Sequence, residues 1–416
     1  MKRLSSSFAH LTLLTIGLTF AQGESSQLTV VELPGGSAGI GFDDLQFSPE
    51  LGKVLVPAGR TGNLILADPE THELMVISGF SAEEQFQGGH GEGTTSADAG
   101  QGLLFAIDGT TKRLEVIELH SLAIVAGADL AASPDYVRYM SATKELWVTE
   151  PDAEQIEVFS LPTTGGSTPF RTATISVPGG PESLIVDSKR KRAYTHLWNG
   201  MTLALDVSSH SIVGRWSNGC SGSRGIALDE QKELLFAGCV EGKATVMDLK
   251  HDGKLVDSFS SGAGSDIISY NPSLGHLYLP GGESGTMAIF GVSATGELTL
   301  LSTVTTTIGA DCVTADNHAN AWICDPEHGQ LLLHHDTLPP TGRGRHSIRG
   351  LCKTGAMPEA ASRPSGDLRP AECPQEPACS GDHRSQRLHA VSPQLPPRPQ
   401  PHRTGLLQTQ EPGETM

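Results

Sequence analysis

Aromatic and charged residues are both scarce in this chain, at 5% and 18% of 416 residues. Many short strands and turns suit that composition better than long helices with charged outer faces. Positive charge is especially short: 29 Lys and Arg stand against 47 Asp and Glu, a net charge of −18. So acidic a surface repels phosphate backbones and anionic lipid, which excludes nucleic-acid and membrane-surface binding and favours cationic ligands. Several chemical signatures are missing too. Gly-x-Ser-x-Gly occurs once, at Gly35-Gly-Ser-Ala-Gly39, and neither it nor Gly219-Cys-Ser-Gly222 has the strand-to-helix context of a nucleophile elbow. Dinucleotide loops, phosphate loops and the Cys-x-x-Cys-His of covalent haem are absent, so no organic cofactor is indicated. The one apolar run, Phe8 to Phe20, is shorter than the ~20 residues that span a bilayer. With Lys2 and Arg3 before it and Thr19-Phe20-Ala21 at its end, it reads as a secretory signal peptide over residues 1–21. That predicts a secreted or periplasmic protein with no membrane span.

Glycine, by contrast, is abundant at 48 residues, and it punctuates a repeat. From Gly225 to Cys239 an apolar run closes on Asp229 and a polar turn, and a second run rich in Leu and Phe ends at Cys239. Glu241-Gly242 then starts an alternating third run to Asp248, and His251-Asp252-Gly253 a fourth from Lys254 to Phe259. Four short antiparallel strands cannot bury both faces alone, so copies must stack. Aligning on the small or polar residue that ends each first strand gives Ser48, Asp98, Ser141, Asp187, Asp229, Asn271 and Asp316, roughly 42 to 50 residues apart. Seven anchors predict an all-β, seven-bladed β-propeller over residues 28–340.

The ends of the chain predict how the ring closes. Leu28 to Leu33 is a strand with no blade of its own, while the last blade runs into Leu338-Pro339-Pro340 after three strands. Proline cannot donate to a ladder, so the N-terminal strand is expected to complete the seventh blade and remove a free edge. Residues 341–416, rich in Pro, Arg, His, Gln and Ser without apolar periodicity, read as a disordered tail.

Cys220 and Cys239 bracket the first two strands of one blade, and Cys312 and Cys324 those of another. Neither pair has the Cys-x-x-Cys spacing of zinc sites, and in an exported protein the pattern predicts two local disulfides.

Lys144-Glu-Leu-Trp-Val-Thr149 and Gly275-His-Leu-Tyr-Leu-Pro280, each followed by a turn and a strand such as Gln155-Ile-Glu-Val-Phe159, resemble the YVTN-type repeat of bacterial surface and periplasmic propellers. The likeness spans residues 28 to 336. Relatives of that shape include lactonase-type propellers and those carrying quinone or haem in amine dehydrogenases and nitrite reductases. The Gly-His…Trp-Asp signature of WD40 repeats is not present.

In such blades the connections entering first and third strands gather at one mouth of the central channel. Five residues before each anchor lie Asp43, Gly93, Tyr136, Glu182, Arg224, Asp266 and Asp311. Connections into third strands add Arg60, Glu150, His196, Glu241, Glu283, Asp325 and His328, and the long insertion adds His90 and Glu92. This mouth is the expected ligand site, and its carboxylates with an imidazole could hold a divalent cation, with Glu182, His196 and Asp266 as the expected ligands. Two functions follow from it. One is a monomeric binding or scaffold module for a small molecule or protein; the other is a lactonase-like or metal-assisted hydrolase.

Overall fold

The computed structural model describes residues 28–162 and 168–341. The expected signal peptide and, Thr341 apart, the expected tail lie outside the described residues. Within them stand seven four-stranded antiparallel sheets, with one-turn 3₁₀ helices as the helical elements. No helix of the described residues is long and apolar enough to cross a membrane.

The inner strands, in chain order, are Gln46–Ser48, Thr94–Gly100, Val137–Met140, Ile185–Asp187, Ser223–Asp229, Ser269–Asn271 and Val313–Ala315. In most blades a four-residue turn leads to the second strand, as the pairs Ser48↔Lys53, Asp187↔Arg192, Asp229↔Leu234 and Asn271↔His276 define. The anchor residue itself folds this turn. Asp229 Oδ1 accepts the N–H groups of Gln231 and Lys232, and Asn271 Oδ1 those of Ser273 and Leu274. The last turn position takes a left-handed backbone, whether it is Gly52, Lys144, Lys191, Glu233 or Gly275.

Blade three departs from the anchors read in the sequence. Its closing pair is Met140↔Glu145, and Lys144 N–H returns to Met140 C=O, so Met140 and not Ser141 is the equivalent residue. Methionine cannot cap a turn, so the polar Ser141 beside it misleads by one position. Blade two has instead a two-residue hairpin between Gly100 and Leu103, which leaves Asp98 inside the strand.

The ring closes as expected, because Thr29–Glu32 pairs with Gln330–His335, outside Asn320–Asp325 and Val313–Ala315. Neighbouring sheets stack face to face. Tyr278, Met287 and Ile289 of blade six, for example, pack on Val313, Ile323 and Leu332 of blade seven. Each such fully buried side chain contributes roughly 1.5–3 kcal/mol, which is why isolated blades are not viable.

Candidate functional site

The residues that enter the inner strands converge on the channel axis and divide it into three levels. At the upper mouth stand Asp43, Asp135, Glu182, Arg224, Asp266 and Asp311. Asp266 acts electrostatically on Asp43, Asp135, Glu182, Arg224 and Asp311, which places these side chains around one space. Asp135 was not among the residues expected there. Because blade three is offset by one, Asp135 holds the ring position and Tyr136 drops to the level below. Blade two supplies no carboxylate, and its place is taken by His90 of the insertion, with Nδ1 3.4 Å from Asp43 Oδ2.

Burial, with mutual repulsion added, sets the protonation of this ring. Burial, with Asp266 and Asp44 adding repulsion, raises the Asp43 pKa to about 6 against the opposing pull of His90. Glu182 is raised to about 8, mainly by burial and then by Asp266 and Asp43, although Arg224 donates to it and opposes the shift. Asp135 is raised by burial and then by Asp43 and Glu182, and Asp311 by burial and then by Asp266. Asp43 holds His90 protonated well above the usual imidazole range. Five carboxylates thus share one guanidinium and one imidazolium, and the ring carries a deficit of positive charge. At its rim Trp198 is 40% exposed, with the Arg224 guanidinium 5.8 Å from the ring centroid.

Below the ring lies a septum. The Arg138 guanidinium grips Asp44 with two bonds of 2.6 and 2.8 Å, Ser96 Oγ donates to the same carboxylate at 2.5 Å, and Arg138 covers the Tyr136 ring at 4.9 Å. Asp44 and Arg138 are both buried. Beneath them is a chamber of about 670 Å³, walled by Leu45, Leu184, Ile226, Ile267 and Ile268 and bordered by the turn residues Pro49, Glu50, Ser188, Ser273 and Asn317 at the opposite end. Asp98 borders it, accepts from Gln46 Nε2 and Tyr139 N–H, and has its pKa raised to about 6 by burial.

Several expected site residues stand elsewhere. His196 is fully buried, between Thr202 Oγ1 at 2.8 Å and the Phe236 carbonyl at 3.3 Å, and burial lowers its pKa to about 4. An imidazole committed on both nitrogens and walled off from the mouth cannot join Glu182 and Asp266, so that metal set does not assemble. Glu150 is also buried, accepting from Ala132 N–H and Gln155 Nε2, and it braces loops rather than facing a ligand. Glu92 lines a small cleft with Arg60, Phe86 and His90 beside the mouth. Of the two expected disulfides, Cys220–Cys239 is bonded, whereas Cys312 and Cys324 are free, buried thiols. Both of these thiols donate to one oxygen, Asp311 Oδ1, at 3.2 and 3.3 Å.

No family model matches the chain, and no curated protein does. Solved structures do. A chain of a mitotic checkpoint complex is 12% identical with a TM-score of 0.62, over 81% of this chain and 99% of that one. Kuenenia stuttgartiensis hydrazine synthase is 11% identical with a TM-score of 0.58, over 76% and 99%. The β-propeller domain of Myceliophteria thermophila Cps50 (Swd1) is 10% identical with a TM-score of 0.58, over 74% and 99%. At such low identity the likeness shows the fold alone: this chain is a seven-bladed β-propeller.

Proposed function

We propose that this propeller is a binding module whose upper mouth takes a ligand bearing an organic ammonium group. The observation that carries the reading is the ring itself, Asp43, Asp135, Glu182, Asp266 and Asp311 around Arg224 and His90, with an exposed Trp198 at its edge. Carboxylates held above their usual range by burial and mutual repulsion gain when a cation arrives, and an indole face beside them adds cation–π attraction of about 0.5–2 kcal/mol. A propeller supplies the rigid scaffold on which such loops hold their positions.

Metal-assisted, lactonase-like hydrolysis is the weaker reading, because Glu182, Asp266 and His196 do not form one ligand set. Kinship with the YVTN-type propellers belongs to the same proposal and rests on segments such as Lys144–Thr149 and Gly275–Pro280. Export suits a bonded Cys220–Cys239, since disulfides persist in oxidising compartments.

Calorimetric titration with benzylammonium and with benzoate tests the proposal. Benzylammonium should bind with an affinity that falls as salt rises, benzoate should not, and the combined Asp43→Asn, Glu182→Gln and Asp266→Asn variant should weaken binding at least tenfold. Equal binding of the two probes, or an unaffected variant, would sink the reading.

A further inference from the structure

At the edge of the carboxylate ring, two thiols gather around one of its carboxylates, Asp311. Asp311, Cys312 and Cys324 each present one ligand atom, and these atoms lie within 4.8 Å of one another. The two cysteines are twelve apart in sequence but stand opposite each other on paired strands, next to Val313↔Ile323, with Cys324 N–H bonded to Cys312 C=O at 3.0 Å. Strand pairing here does what Cys-x-x-Cys spacing does in a loop. We propose that Asp311, Cys312 and Cys324 form an open three-ligand site for Zn²⁺ or a similar thiophilic divalent ion.

The dimensions fit. Zinc takes sulfur at about 2.3 Å and carboxylate oxygen at about 2.0–2.2 Å, so in a tetrahedral site the sulfur–oxygen edges are about 3.5 Å. Here those edges are 3.2 and 3.3 Å before any ion has entered. Two of the three ligands, Cys324 and Asp311, are also held from behind. Cys312 N–H points at Cys324 Sγ from 3.0 Å, a donor that suits a sulfur bearing negative charge. The Asp311 carbonyl accepts the N–H groups of both Asp266 and Ile267. Gly282 packs so closely that an added Cβ would stand 3.1 Å from Asp311 Cβ. A preformed set of this kind pays little to organise on binding.

The donor types decide which ion is taken. Two thiolates with one carboxylate favour Zn²⁺ or Co²⁺ over Mg²⁺ and Ca²⁺, which want oxygen alone. Binding replaces the two S–H protons: the ion enters, two Sγ–metal bonds and one Oδ1–metal bond form, and two protons leave to solvent. Three protein ligands leave a fourth position for water or a ligand atom, and half-buried Asp311 joins the site to the mouth.

Cobalt is the probe that reports the site. The full chain carrying Cys352→Ser, Cys373→Ser and Cys379→Ser, so that only the cysteines of the propeller remain, is titrated with Co²⁺. One equivalent should give the visible bands of tetrahedral Co²⁺ together with thiolate-to-cobalt charge transfer, and Zn²⁺ should abolish both. Cys312→Ser and Cys324→Ser should each lose the charge-transfer intensity or halve it. Asp311→Asn, which keeps both thiols and guards against a cysteine variant that fails to fold, should weaken Co²⁺ binding at least tenfold. Two thiols counted after denaturation with no cobalt spectrum beforehand would overturn the proposal, and so would a Cys312–Cys324 disulfide in peptide mapping. Asp43→Asn keeps the cobalt spectrum while weakening benzylammonium, so failure of this site and failure of the ammonium site are told apart.

Discussion

Replacing Arg224 by Met isolates Glu182, and the cost should depend on pH in a direction that the ring sets. The Glu182 side chain is 8% exposed and is bridged by Arg224, itself 36% exposed. Burial, with Asp266 and Asp43 nearby, lifts the Glu182 pKa from 4.5 to about 8 even with Arg224 pulling it down. A carboxyl whose folded pKa lies above its unfolded value holds an extra proton in the folded state. Its contribution to stability is therefore lost as pH rises from about 4.5 through about 8. Removing the guanidinium raises the folded pKa further and extends that loss to higher pH. At pH 5.5 the carboxyl is protonated in both proteins, and the variant forfeits one hydrogen bond, about 1 kcal/mol. At pH 9 the native carboxylate is ionised and paired, whereas the variant's must stay neutral or stand alone, which adds about 1.4 kcal/mol per pH unit above 8. Solvent screening at the half-exposed arginine trims the total to about 2 kcal/mol. The melting temperature should fall by roughly 1.5 °C at pH 5.5 and roughly 3 °C at pH 9, read by thermal shift against the native protein at each pH. An equal loss at both values, or a larger one at pH 5.5, would refute the idea that Arg224 supports a buried carboxylate.

Arg138→Met should be more costly, about 3–5 kcal/mol by chemical denaturation at pH 7, because it strands Asp44 in the septum; a loss under about 1 kcal/mol would mean that the pair is not buried as described. His196 titrates in the opposite sense to Glu182: its folded pKa of about 4 lies below 6.5, so its contribution is present above pH 6.5 and is lost as pH falls toward 4. His196→Gln should therefore remove up to about 3 kcal/mol of acid sensitivity, seen as a flatter melting profile between pH 6.5 and 4 than that of the native protein. Deleting residues 28–33 removes the buried Val31 and Leu33 and bares the edge of blade seven, which should cost about 4 kcal/mol and lower the melting temperature by roughly 6 °C; an unchanged melt would contradict the closure.

The fold was legible because each of its signals is local and repeated. Turn caps such as Asp187, Asp229 and Asn271 recur at blade spacing, and the unpaired strand at Leu28 to Leu33 matched a last blade one strand short. The site was legible only in part. Asp43, Glu182, Arg224, Asp266 and Asp311 follow from counting back along an inner strand, since pairing geometry fixes where that strand begins. Asp135 was missed because the turn of blade three is anchored by Met140, whose apolar side chain gives no capping signal, while Ser141 beside it does. His196 illustrates a different limit. Its position in the chain places it near the rim, but whether an imidazole turns to the mouth or to Thr202 and Phe236 depends on the packing between blades four and five, which no single segment encodes. The thiols were read as a disulfide from the same adjacency that now sets them around Asp311, since sequence spacing does not say which way two sulfurs turn.

The ammonium site at the upper mouth has a rival in the chamber of about 670 Å³ on the far side of the septum. Anomalous diffraction from crystals soaked in 4-bromobenzylammonium separates them, because bromine reports the position of the ligand directly. A bromine peak is expected beside Trp198, with the ammonium group directed at Glu182 and Asp266. A peak in the chamber among Leu184, Ile226 and Ile267, or no peak in the channel at all, would contradict it.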